Sequence, residues 1–174
     1  MQKKYLAYLL ALLVLGGTAL MAYKTVHRLQ TKKALAASLK TLPHFIATGL
    51  DSTQIRYPQA IDKPLIIMYF NTECEHCQYE TQELKKHLAQ FANAQILMLS
   101  NESLAKLKTF AKSYALTDID NLQIAQIPAN KAFEIFGFTS VPSLIIYSKN
   151  QQLVKQYKGE TKMETVVGAA NSYQ

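Results

Sequence analysis

Apolar and polar positions divide the chain into stretches of different character. From Tyr5 to Tyr23 nineteen residues follow one another without a charge. As a helix rising about 1.5 Å per residue they would span roughly 28 Å, close to the thickness of a bilayer's hydrocarbon core. Residues 31–41 are helix-prone and contain no turn residue, so they read as a stalk, and a folded domain starts near Leu42-Pro43. The expected organisation is a short tail (1–4), a transmembrane anchor (5–23), a juxtamembrane stalk (24–41) and one domain (42–174). A cleaved signal peptide is the alternative, with Gly17 and Ala19 near the cleavage point, but its apolar core is ordinarily about 7–15 residues. No cysteine stands directly after the stretch, which closes the lipoprotein route.

Inside the domain, residues 44–47 and 54–57 alternate apolar and polar positions on either side of a turn at 49–52, as a short hairpin does. Leu65–Phe70 is apolar enough for a strand buried on both faces. In the helix that follows, Cys77, Thr81, Leu84, Leu88 and Phe91 recur at steps of four and three and share one face. Glu80, Glu83, Lys85, Lys86 and His87 are assigned to a solvated surface. A second buried strand, Gln95–Ser100, precedes an amphipathic helix marked by Leu104, Leu107, Ala111 and Tyr114. A short strand at 122–127 and a small helix at 130–136 lead to Val141-Pro142 and the strand Ser143–Tyr147. Residues 153–157 return antiparallel, and Met163, Val166, Val167 and Ala170 line a closing helix. The β-α-β-α order predicts an α/β fold, a central sheet flanked by helices with right-handed crossovers.

The net charge of +7 suggests nucleic acid until it is located. Six Lys/Arg and no Asp/Glu fall in residues 1–33, leaving thirteen basic against twelve acidic residues in the rest. Anionic lipid headgroups explain basic flanks of an apolar span, and no basic patch with interleaved aromatics is left for nucleic acid. Lys3 and Lys4 precede the span while Lys24, Arg28, Lys32 and Lys33 follow it, a count that alone would put the domain inside. Disulfide chemistry persists outside the cytoplasm, which argues for the opposite side.

That chemistry rests on Cys74 and Cys77, the chain's two cysteines, in C-x-x-C spacing after a buried strand. Such a step into a helix reads as a dithiol redox site. Cys74 at the helix N-terminus is the exposed nucleophile, its thiolate stabilised by free amides and the helix dipole; Cys77, one turn on, resolves the mixed disulfide. Structural zinc needs four ligands, and no second Cys/His cluster accompanies the pair, so neither metal nor cofactor is expected. An inert structural disulfide is the other alternative.

The motif, the order of elements and the Val141-Pro142 step together resemble the thioredoxin-like superfamily, and the leading hairpin with the extra strand and helix before Val141 is similar to its membrane-tethered TlpA/ResA branch. The resemblance covers about residues 42–172. It implies a cis Val141–Pro142 bond facing the disulfide, with neighbouring backbone that pairs with an extended substrate segment. It departs from the family pattern at Glu73, where tryptophan often stands, and at Met68, where thioredoxin has an acidic proton acceptor. His76 matches the histidine of the oxidant DsbA and would make the dithiol more oxidising, while Glu73 and Glu75 oppose a thiolate and push the other way. A peroxiredoxin would need P-x-x-x-T-x-x-C, but Ile67 and Asn71 occupy the corresponding positions.

The resemblance therefore implies a single-pass protein of the bacterial cytoplasmic (inner) membrane with its domain on the periplasmic side. Cys74 and Cys77 would reduce disulfides of selected exported proteins, with Val141 and Pro142 docking them, and a membrane partner would exchange electrons with the dithiol. A disulfide-donating oxidase of the same fold, and a tethered module binding a metal or a partner, are the alternatives.

Overall fold

The computed structural model describes residues 2–59 and 62–172, without the side chains of residues 2–4 and 6–14. By its internal contacts the chain separates into a unit ending at Ser38 and a second beginning at Leu39. The first is one helix, α1 (Gln2–Ser38), on which Leu15, Leu20, Met21 and Tyr23 are exposed. Among the described residues no helix is long and apolar enough to cross a membrane. The side chains of 6–14, nearly all of the first half of the expected span, lie outside that description.

The second unit holds a seven-stranded sheet. The strands are β1 (Phe45–Gly49), β2 (Gln54–Tyr57), β3 (Leu65–Tyr69), β4 (Gln95–Ser100), β5 (Leu122–Gln126), β6 (Ser143–Tyr147) and β7 (Leu153–Lys158), in the order β2-β1-β5-β4-β3-β6-β7. The three central strands β5, β4 and β3 are parallel, and antiparallel pairs extend the sheet at both edges. Parallel strands require crossovers, and helices α2 (Glu75–Lys86) and α3 (Leu104–Ser113) supply them. A third helix, α4 (Ala129–Phe136), follows β5, and α5 (Met163–Asn171) closes the chain. The expected hairpin at 44–57 is present, and it joins the sheet through β5, where Thr48 pairs with Gln126.

β3, buried along its whole length, shows why its sequence lacks alternation: both of its faces are covered. On one face Ile66, Met68 and Phe70 pack with Cys77 and Leu84 of α2, Leu107 and Phe110 of α3, and Val166 of α5. On the other a run of aromatic rings, Tyr57–Phe45–Phe136–Phe138–Tyr69, connects the hairpin to the end of β3 with centroid separations of 4.7, 5.0, 5.1 and 4.8 Å. Ahead of the sheet, Leu39 and Leu42 are buried, and Thr41 bridges Gln152 while Leu153 N–H donates to the Lys40 carbonyl (2.8 Å). Residues 39–41, read from sequence as stalk, are thus in contact with the β6–β7 turn.

Candidate functional site

β3 ends against β4, with Phe70 N–H donating to the Leu99 carbonyl, and the chain turns through Asn71-Thr72-Glu73. Asn71 makes the turn: its side-chain oxygen accepts from Glu73 N–H at 2.8 Å. Glu102, from the β4–α3 loop, accepts from both Thr72 N–H (2.6 Å) and Thr72 Oγ1 (3.0 Å), and Gln78 Nε2 donates to the Thr72 carbonyl (2.8 Å). Both backbone groups of Thr72 are held by side chains, which fixes the residue two before Cys74. Cys74 itself keeps an extended backbone (φ −82°, ψ 115°), and its carbonyl accepts the Gln78 N–H (2.9 Å) that begins α2. It is the N-cap residue, beside amides with no helical partner.

Cys74 is half-buried and Cys77, one turn on, is fully buried. Burial pushes the Cys77 thiol up to about 12, helped by its hydrogen bond with Cys74 and by the nearby charges of Cys74 and Glu80, and opposed by the Asn71 backbone. A thiol in that state waits until a base removes its proton. Glu80, whose charge acts on that thiol, is itself perturbed: only 1% exposed, its carboxyl is raised to about 7 by burial and by the charge of Glu160. Glu80 Oε1 accepts from Thr161 N–H (3.0 Å), and Oε2 is buried with no hydrogen-bond partner among the described residues.

This corrects the sequence reading of Glu80 as part of a solvated surface. Glu80 lies three residues after Cys77 and four before Leu84, on the buried face of α2, so the 3–4 spacing contained the signal; its charge concealed it. The acceptor missing at Met68, which is buried in the core, has a counterpart here on the helix.

The Val141–Pro142 bond is cis, as the resemblance implies, and so is Tyr57–Pro58. Pro142 is buried, Val141 is half-buried against the core alongside Cys74, and Gly159 N–H donates to the Pro142 carbonyl (2.9 Å). A groove of about 330 Å³ runs between Cys74 and Val141, lined also by Asn71, Asn101 and Ser140 and by Tyr69, whose hydroxyl meets Asn101 Oδ1 at 3.3 Å. A larger cleft of about 450 Å³ lies on the α3 side of Glu73 but contains neither cysteine, so size does not locate the chemistry.

The three residues expected to modulate the dithiol take different surroundings. Glu73 accepts from Lys106 Nζ at 2.6 Å, and that ammonium holds its carboxyl below the usual range. Glu75 is exposed in the first turn of α2, where a carboxylate suits the helix dipole. His76 is exposed, and its Nδ1 lies 2.7 Å from Glu160 Oε2. Among the described residues no three His, Cys, Asp or Glu side chains form a group that could hold a metal ion.

A protein-family comparison matches residues 39–167 to the AhpC/TSA family. The chain belongs to the AhpC/TSA family. No curated protein matches the sequence significantly. Solved structures similar to this AhpC/TSA chain include a secreted disulfide oxidoreductase of Mycobacterium tuberculosis homologous to E. coli DsbE (14% identity, TM-score 0.63, covering 78% of this chain and 98% of that one). StoA from Bacillus subtilis (12%, TM-score 0.59, 75% and 98%) and a peroxiredoxin-like protein from Aquifex aeolicus (15%, TM-score 0.66, 78% and 86%) are also similar. The fold is thioredoxin-like, that of thiol–disulfide oxidoreductases. In place of the proline and threonine that a peroxiredoxin needs, this AhpC/TSA member has Ile67, fully buried in β3, and Asn71, committed to the turn.

Proposed function

We propose that this protein is a membrane-anchored, extracytoplasmic thiol–disulfide oxidoreductase that reduces disulfides of selected exported proteins. The observation that carries the reading is the asymmetric dithiol: Cys74 at the edge of a groove beside cis Val141–Pro142, and Cys77 buried next to a carboxyl that titrates near neutrality. An extended substrate segment lies along the backbone at Val141, which brings its disulfide to Cys74. The Cys74 thiolate attacks one substrate sulfur; that S–S bond breaks, and the departing sulfur takes a proton from solvent. Glu80 then takes the proton from Cys77, whose thiolate attacks Cys74 Sγ, releasing the second substrate sulfur and leaving the Cys74–Cys77 disulfide. Two electrons have passed to the substrate, and a dithiol or quinol donor in the membrane returns them. The exposed apolar side chains of α1, Leu15, Leu20, Met21 and Tyr23, support anchoring in a bilayer.

Full-length Cys77→Ser, purified from membranes without reductant, should carry substrates as mixed disulfides on Cys74, released by a thiol reagent. Absence of such adducts, with wild-type folding intact, would overturn the enzymatic reading.

A further inference from the structure

Gly159-Glu160-Thr161, the link between β7 and α5, touches three parts of the site at once. Gly159 N–H holds the Pro142 carbonyl (2.9 Å), Thr161 N–H holds Glu80 Oε1 (3.0 Å), and Thr161 Oγ1 closes the strap on the Gly159 carbonyl (3.2 Å). Gly159, at φ +80°, takes the left-handed conformation that glycine adopts without steric cost. The strap is thereby fixed, and Glu160 at its centre presents its carboxylate to His76 Nδ1 at 2.7 Å.

The charges around the dithiol make this contact consequential. Glu73 is already compensated by Lys106. His76, two residues after Cys74 in the first turn of α2, is the one basic side chain within the C-x-x-C motif. With Glu160 attached, the pair carries a net charge of zero when the imidazole is protonated and −1 when it is neutral. Without the carboxylate the same site would carry +1 or zero. Whichever protonation state the imidazole takes, removing the Glu160 charge makes the surroundings of Cys74 more positive, and positive surroundings favour a thiolate and so the reduced form.

We propose that Glu160 is a positioning residue of the dithiol: anchored on His76 Nδ1, its carboxylate makes the surroundings of Cys74 less positive and keeps the Cys74–Cys77 pair on the reducing side. The inference rests on the reading of the protein as a reductase, and it explains how a motif with histidine before its second cysteine serves that direction.

The test measures the reduction potential of the full chain in detergent, equilibrated in glutathione buffers at pH 7, for wild type, Glu160→Gln, His76→Ala and the double variant. Glu160→Gln should favour the reduced form by about threefold, less than a buried charge would give because the pair is exposed. That is a rise of about 15 mV for a two-electron couple. In the His76→Ala background the same substitution should shift the equilibrium by less than half as much, since Glu160 then has no ring to hold and turns to solvent. No shift, a shift toward the disulfide, or an equal shift in both backgrounds would overturn the role of Glu160. The reductase reading fails separately: a wild-type potential near about −120 mV, the value of a strong oxidant, would reverse the direction of electron flow whatever the variants do.

Discussion

Burial keeps the Glu80 carboxyl protonated up to about pH 7, whereas an unperturbed glutamate ionises near 4.5. Between those values the folded chain binds a proton that the unfolded chain has released. The stabilisation is therefore complete below about 4.5 and is lost as the pH rises through 7, at a cost of about 3 kcal/mol. Glu80→Gln, which keeps the acceptor for Thr161 N–H without a titrating charge, should flatten this dependence and raise the urea midpoint at pH 8. The measurement belongs on the disulfide form, where Cys77 cannot titrate; a wild-type midpoint that does not fall between pH 5 and 8 would contradict the buried acid. At this scale the sequence was legible where residue type and spacing agree, as at Cys74 and Cys77. It misled at Glu80, whose charge outweighed a helical position between two buried residues, and it was silent on Glu160, which reaches His76 across 84 positions through the packing of the β7–α5 link.

The elements around the site were legible because each has one dominant signal. β3, β4 and β6 are continuous apolar runs, and α2 and α3 show 3–4 periodicity. What tethers one element to the next was not legible. The Glu102 side chain, 9% exposed, links the β4–α3 loop to the β3–α2 turn through Thr72, and Lys106 from α3 reaches both Glu102 (3.4 Å) and Glu73 (2.6 Å). Nothing in the spacing of residues 72 and 102 announces the contact; it follows from the parallel register that sets Tyr69 beside Leu99. Glu102→Ala leaves the Thr72 amide without its charged acceptor, and should lower stability by about 1–3 kcal/mol. Glu102→Gln, which retains an acceptor, should lose less. Equal losses for the two variants, read from chemical unfolding, would assign the effect to packing rather than to the hydrogen bonds.

For the whole molecule, charge and chemistry pull in opposite directions. The first fifty residues contain no acidic side chain, and the four basic residues between 24 and 33 outnumber Lys3 and Lys4 before the apolar stretch. Flanking cations are retained on the cytoplasmic side, so the count by itself holds the domain inside. The proposed reduction of exported proteins belongs in the compartment where disulfides persist. The two arguments differ in kind. The charge rule is a bias on orientation with known exceptions, whereas a reductase of exported proteins meets its substrates only where they are delivered and where their disulfides persist. Alkaline phosphatase folds to an active enzyme only where its own disulfides form, so fusing it after Gln174 reads the side directly. The fusion should be active in whole cells, and protease added to spheroplasts should remove the domain while leaving an apolar fragment containing residues 5–23 in the membrane. An inactive, protected fusion would place Cys74 and Cys77 among reduced thiols and make the membrane electron donor unnecessary. It would also end the reading of the protein as a reductase of exported proteins.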